Sequence, residues 1–310
     1  MNCSLIGKLI KEYRERLGLF QEDLCGDSCA VSTLSRLENG KHLPSRKQLE
    51  AFFSYMGTKP PMNLIPMTAM DLKLHNLEVE IDNRIANHRY DYGELLEEYE
   101  KNYDKNDVFS RQYYLHQKAL YDYKKSGRQD YQNQIEELTS ILQLTLKDFT
   151  PEGELQDRYY RNEELELINC ISNCEWECKK EKDAFRHLEF LIHYYKDKTF
   201  VSEVNKASLL PVLMFNISNW YGQKKMFKKS LAIEKEGIEI CNKYSQLCVL
   251  PELVFNLGCS YSYLGNTVEG KKYVKTGLSL IKLLHNKEYV ETGLNYANEN
   301  FNYNLTLEDV

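Results

Sequence analysis

Two stretches forty residues apart carry nearly the same pattern, "LPVLMFNISNWY" from Leu210 and "LPELVFNLGCSY" from Leu250. Pro211 and Pro251, Asn216 and Asn256, Tyr221 and Tyr261, and Gly237 and Gly277 all keep that interval. A period of this length marks a supersecondary unit used repeatedly. Each copy reads as a pair of amphipathic helices, and such a pair leaves an apolar face that it cannot bury alone, so pairs must stack. An earlier stretch, "INCISNCEW" from Ile168, echoes the pattern, with Ala184, Leu188 and Leu191 on the helix that follows. Upstream, amphipathic segments near 68–87, 90–104, 108–125 and 130–147 continue the series, and strand alternation is absent.

Within the second copy, Leu257, Gly258, Tyr261, Gly265 and Gly277 resemble positions of the tetratricopeptide (TPR) pattern. Gly258 and Gly277 let paired helices approach, and aromatic residues fill between layers. The resemblance implies a right-handed α-superhelix with a concave groove. In TPR proteins the position of Asn216 and Asn256, on the first helix of each repeat, tends to face that groove. Asn219 and Asn173 align with each other one turn further on, and Asn295 follows Asn256 by 39 residues. A side-chain amide both donates and accepts, so a row of them can hold an extended peptide backbone whatever its sequence. The competing reading is that these amides cap or bridge neighbouring helices. Tyrosines such as Tyr113, Tyr114 and Tyr123 read as packing groups with a wet hydroxyl.

Residues 58–66, "TKPPMNLIP", hold three of the seven prolines. That punctuation divides the chain into a head over 1–58, a linker over 59–67 and the helical body over 68–310. The net charge of −6 is unevenly spread: residues 1–65 carry a net +2 and the remainder a net −8. A mildly basic head on an acidic body suggests that only the head meets nucleic acid. Helix one is expected from about Ser4 to Leu17, with Leu5, Ile6, Leu9, Ile10, Tyr13 and Leu17 on one face and Gly18 to stop it. A short helix near Gln21 to Cys25 places Glu22 and Asp23 in its first turn, where the helix dipole favours acids. A turn at Gly26-Asp27-Ser28 leads into a third helix. There Leu34 and Leu37 point inward, Ser32, Thr33, Ser35 and Arg36 stay outside, and Gly40 supplies the stop. A fourth helix opens at Ser45 with Gln48 three residues on, a capping box, and runs through Leu49, Phe52, Phe53 and Met56 to Gly57.

Short helices joined by tight turns, with a polar third helix, describe a helix-turn-helix domain. "GLFQEDL…CAVSTLSRLENGKHLPS" resembles the Cro/CI-type helix-turn-helix, and the spacing from Gln21 to Glu38, with Cys29 before the third helix, is similar to the Rgg/PlcR subgroup of the RRNPP receptors for peptide pheromones. The resemblance implies that Gln21 and Arg36 contact the DNA backbone and that Ala30, Val31, Ser32 and Thr33 face bases. The chemistry points the same way. Short side chains at a helix start allow close approach to the major groove, and Val31 and Thr33 offer methyl groups to thymine. Ser32, Thr33 and Ser35 can bond to phosphates or base edges, and Arg36, Lys41, Arg46 and Lys47 can anchor phosphates. The bland alternative is a solvated helix face. Phe20 stands where this family usually has a Ser or Thr cap, a loss of about 1 kcal/mol, and is expected to pack inward instead.

The remaining motifs exclude more than they suggest. No apolar run is long enough to span a membrane. Charged residues from Lys8 to Arg16 interrupt any signal-peptide core, so a cytoplasmic location is expected. The cysteine count is odd, and Cys170, Cys174 and Cys178 repeat every four residues without a CxxC pair or a matching histidine cluster. They read as small hydrophobes between helices, and no metal and no cofactor is expected. "GNTVEGKK" from Gly265 mimics a phosphate loop, but it has Lys272 where Ser or Thr should bind magnesium and no strand before it. No GxSxG or HExxH occurs, so an enzyme is not expected.

The sequence therefore leads to a homodimeric transcription regulator on a double-stranded, palindromic operator, in which the body dimerises and senses a short signalling peptide, the quorum-sensing role the resemblance implies. Two rivals remain: a regulator whose helical body binds a partner protein instead of a peptide, and an interaction scaffold with a vestigial head.

Overall fold

The structure is a computed structural model that describes residues 3–25, 29–42, 44, 46–56, 69–86, 89–127, 130–156, 158, 160–197, 203–284 and 287–310. The linker expected over 59–67, the turn at 26–28, and the cap and stop at Ser45 and Gly57 lie outside the described residues. Among those described, fifteen α-helices form the secondary structure and no strand occurs, so the protein is all-α. No helix among them is long and apolar enough to cross a membrane. The chain divides into two compact units, Met1–Ala184 and Phe185–Val310.

The first unit begins with four short helices, α1 (Cys3–Arg16), α2 (Gln21–Cys25), α3 (Val31–Glu38) and α4 (Arg46–Tyr55). Ile6, Ile10, Leu17, Leu24, Leu34, Leu37, Leu49, Phe52, Phe53 and Met56 are buried, as their helical spacing requires. Gly40, at φ 69, closes α3: its amide bonds to the Leu37 carbonyl and the Lys41 amide to that of Arg36. Phe20 departs from expectation. It is 73% exposed, and its backbone amide donates to Asp23 Oδ2 at 2.7 Å. Asp23 thus supplies the return half of a capping box, and Phe20 contributes its backbone rather than its ring to the start of α2.

Beyond the head, α5 (Ala69–Ala86), α6 (Gly93–Asn102), α7 (Val108–Ser126), α8 (Tyr131–Leu142) and α9 (Asn162–Glu177) follow in sequence. α8 stops short of the expected boundary, and residues 143–149 form turns instead. The core over α5 to α7 is built from tyrosines: Tyr92, Tyr99, Tyr103, Tyr113 and Tyr114 pack with Leu77, Ile81 and Leu96. Two of the hydroxyls are bonded internally rather than wet, Tyr113 donating to Asp82 at 2.8 Å and Tyr99 to Glu78 at 2.7 Å, while that of Tyr92 is buried without a partner.

α10 (Glu181–Asp197) carries the boundary between the units. The second unit continues with α11 (Glu203–Gln223), α12 (Phe227–Tyr244), α13 (Leu250–Tyr263), α14 (Thr267–Leu284) and α15 (Lys287–Phe301), each of α11 to α14 packed on the next. The α13–α14 contact depends on glycine. A Cβ on Gly258 would lie 2.4 Å from the Val274 nitrogen, and one on Gly277 would lie 2.6 Å from the Phe255 nitrogen. The phosphate-loop mimic is the end of the turn between these two helices, Gly265 and Asn266, followed by the start of α14.

Candidate nucleic-acid interface and ligand pocket

The outer face of the head rests on a buried ion pair. Arg14 lies on the apolar side of α1, 8% exposed, and its Nε and Nη2 donate to the two carboxylate oxygens of Glu38 at 2.6 and 3.0 Å. Its Nη1 donates to the Leu19 carbonyl at 2.8 Å. The hydrogen bond to Glu38 raises the Arg14 pKa above its ordinary value against the opposing effect of burial. Gln21 joins the same network, its Nε2 donating to Glu38 Oε2 at 2.7 Å. One network therefore ties α1, α2 and α3 together and fixes which face of α3 looks outward.

On that face Ala30, Ser32, Arg36 and Lys41 are exposed, and Val31, Thr33 and Ser35 are half-buried. Ala30 precedes the helix in extended conformation and gives it no side-chain cap. The side chains of Arg46 and Lys47 lie outside the described residues. The sequence reading missed Arg14 and Glu38. Their signal is the position of Arg14 four residues after Ile10, inside an apolar stripe.

In the second unit, α11, α12, α13 and α15 enclose a pocket of about 530 Å³. Its aromatic walls are Phe227, Phe255, Tyr263 and Tyr296. Phe227 and Tyr263 stack with ring centroids 4.3 Å apart, and the hydroxyls of Tyr263 and Tyr296 are 2.9 Å apart. Asn219 and Asn256 line the pocket, and Asn256 Nδ2 is buried with no hydrogen-bond partner. Asn216 is half-buried and engaged elsewhere within the protein. Asn295 is exposed and does not line the pocket, although Thr292, Gly293 and Tyr296 of the same helix do. Residue 295 is turned off their face by the 3.6-residue period. Asn173 is half-buried in the first unit.

The sequence reading also missed a carboxylate in the pocket. Glu234 is 1% exposed. Its Oε1 accepts from Ser260 Oγ at 3.0 Å and lies 2.7 Å from Ser230 Oγ, whose single proton it shares with the Ser218 carbonyl, also at 2.7 Å, and its Oε2 has no partner. Burial pushes its pKa up to about 7, only partly opposed by the two hydroxyls. The available signal was spacing: Ser230, Glu234, Gly237 and Cys241 form a stripe of small residues on α12 with an acid inside it.

The first unit holds a further buried cluster. His116 Nδ1 meets Glu163 Oε1 at 2.7 Å, and its Nε2 lies 3.6 Å from Cys170 Sγ. His116, Glu163 and Glu166 present ligand atoms within 4.8 Å of one another. Burial works against the imidazolium, yet hydrogen bonds to Cys170 and Glu163 outweigh it and hold the His116 pKa well above its ordinary value. The cysteine row does therefore meet a histidine, hidden from sequence reading by a separation of 54 positions. Cys174 donates to Gln134 Oε1 at 3.1 Å.

A helix-turn-helix head with a polar recognition face, followed by a TPR-like helical body, defines the class of this protein. Residues 5–62 match the family model of a helix-turn-helix domain. The fold is similar to that of PlcR from Bacillus thuringiensis. In complex with the peptide PapR7 and DNA, that protein aligns with a TM-score of 0.62 at 19% identity, over 94% of this chain and 99% of that one. Its apo form gives a TM-score of 0.57 at 17% identity, over 94% and 98%. The resemblance first drawn from the head thus extends to the fold of nearly the whole chain. No curated protein sequence matches this one.

Proposed function

We propose that the protein is a transcription regulator, not an enzyme, whose head binds operator DNA and whose helical body binds a short linear signalling peptide. The observation that carries the reading is the Asn256 amide nitrogen, buried without a partner on a residue that lines a pocket walled by aromatic rings, with Asn219 of α11 lining the same pocket. An unmade buried hydrogen bond costs about 1–3 kcal/mol, and a peptide carbonyl would satisfy it. PlcR, whose fold the chain shares, was solved with a peptide and DNA.

In this reading the head is residues 1–58, the linker 59–67 and the body 68–310. The protein acts in the cytoplasm as a homodimer, with its two heads on half-sites about one helical turn apart. Gln21, Ala30, Val31, Ser32, Thr33, Ser35, Arg36, Lys41 and Arg46 meet DNA. Gln21 does so while held by Glu38, which orients its amide. Asn219 and Asn256, which line the pocket, hold the peptide backbone there, whereas Asn216, engaged within the protein, and Asn295 do not line it. The peptide must bind one arrangement of the dimer more tightly than another, because equal binding would shift nothing.

Duplexes selected from a randomised pool by the full chain test the first half. Arg36→Ala should weaken binding to all selected duplexes about equally and reduce the salt slope by about one. DNA binding with no salt dependence would defeat the assignment of these contacts. A library of synthetic heptapeptides tests the second half: retention of none by the full chain would remove the sensor and leave a partner-protein role for the body.

A further inference from the structure

The pocket contains one acid, Glu234, and one cation, Lys225, among its described lining residues. Lys225 is exposed, whereas Glu234 is almost wholly buried and its Oε2 has no hydrogen-bond partner. A buried carboxylate oxygen without a donor is a strained arrangement that a positively charged donor relieves best. The surrounding rings favour the same guest, since aromatic faces attract ammonium groups.

A second open atom narrows the choice. Ser260, which donates to Glu234, and Asn256 lie four residues apart on α13, on one face and one turn from each other. Ser260 therefore ties the acceptor for a cation, on α12, to α13 one turn from the donor for a carbonyl. An ammonium next to a carbonyl is the chemistry of a free peptide N-terminus. We infer that Glu234 and Asn256 form a subsite for the N-terminal ammonium of the guest peptide, Glu234 taking the ammonium and Asn256 the first carbonyl. This rests on the peptide-sensing reading and adds an anchor point and a direction to it. A lysine side chain shares the ammonium but lacks the adjacent carbonyl.

The buried acid also sets a pH window. Below about pH 7 Glu234 takes up a proton and loses its hold on the cation, and above about pH 8 a peptide amine is neutral. The other titratable side chains lining the pocket are Lys225, Cys259, Tyr263 and Tyr296; burial pushes Cys259 and Tyr296 up, away from neutrality. Retention of free-amine peptides should be bell-shaped, greatest between about pH 7 and 8.

The test uses the full chain and lysine-free heptapeptide libraries with free or acetylated N-termini. Acetylation is expected to lower retention at least about tenfold, and Glu234→Gln, which keeps an oxygen for the serine hydroxyls, should erase the difference. Equal retention of free and acetylated peptides by the unaltered protein would overturn the subsite and leave the sensor standing. Recovery by acetylated peptides that contain lysine would uphold the ammonium and assign it to a side chain. If no peptide is retained, the sensor reading fails, and glycinamide, an ammonium beside a carbonyl, decides the subsite alone. Carbon NMR of the Glu234 carboxyl should then show ionisation moving to lower pH with glycinamide and not with N-acetylglycinamide. No movement with either overturns it.

Discussion

In the first copy of the forty-residue repeat the proline lies eight residues inside a helix; in the second it opens one. α11 begins at Glu203 and carries Pro211 in its interior, whereas Pro251 sits in the first turn of α13. The extension of α11 has a visible anchor. Glu203 accepts from the Tyr244 hydroxyl at 2.7 Å and from Lys243 at 3.3 Å, pinning the first turn of α11 to the end of α12, and it pairs with Lys206 of its own helix at 3.3 Å. These hydrogen bonds, led by that from Tyr244, lower the Glu203 pKa to about 2. The asparagines diverge likewise: Asn216 is engaged inside the protein, while Asn256 lines the pocket and its amide nitrogen is buried without a partner. Identical residues at identical spacing thus have different surroundings in the two copies: Asn256 lines the pocket, to which α11, α12, α13 and α15 all contribute, and Asn216 does not.

The largest expected effect separates the two glycines. A Cβ at Gly277 would meet backbone atoms of Phe255 at 2.6 and 2.7 Å, which cannot step aside. At Gly237 it would meet only side-chain atoms of Leu253 and Met214 at 3.1 to 3.4 Å. Gly277→Ala should cost about 2 kcal/mol in denaturant unfolding, and Gly237→Ala less than about 1 kcal/mol, since the gain in helix propensity offsets mild crowding. Equal losses would break the distinction between the copies.

A comparable effect depends on pH. The folded pKa of Glu234 lies above its unfolded value of 4.5, at about 7. Between those values the folded state keeps a proton that the unfolded state releases, so stability falls as pH rises and levels off above pH 7. Glu234→Gln should therefore match the unaltered protein near pH 4 and exceed it by an amount of the order of 3 kcal/mol at pH 8. Thermal melts across that range would show the crossover, and parallel curves would mean that Glu234 is not buried as a charge.

The asparagines give the next contrast. Asn256→Ala should weaken heptapeptide retention about tenfold, the value of one buried hydrogen bond, and Asn216→Ala should weaken it less. Reversal of that order would place the guest along the first copy instead. The smallest effect is local: Glu203→Ala should speed amide exchange in the first turn of α11 and leave the melting temperature unchanged.

The head was legible because its information is local. Leu34 and Leu37, Gly40 and the run from Phe52 to Met56 act through the helix period and turn chemistry, and the structure places them as that period demands. Phe20 was misread because the cap it lacks is supplied by Asp23 three residues later. The repeat and its tight glycine contacts were equally legible, since periodicity and side-chain size are sequence properties. The Arg14–Glu38 pair, the His116–Glu163–Cys170 contact and the Glu234–Ser260 bond were not, because each joins residues far apart in the chain.

The amino-acid order by itself thus determined the all-α class, the helix-turn-helix head and the forty-residue stacking unit, all consequences of short-range stereochemistry and hydrophobic period. Only the tertiary structure decided which polar side chains lost water without finding a partner. That depends on what packs opposite them, and it is why Asn256 and Glu234 face a pocket while Asn216 does not.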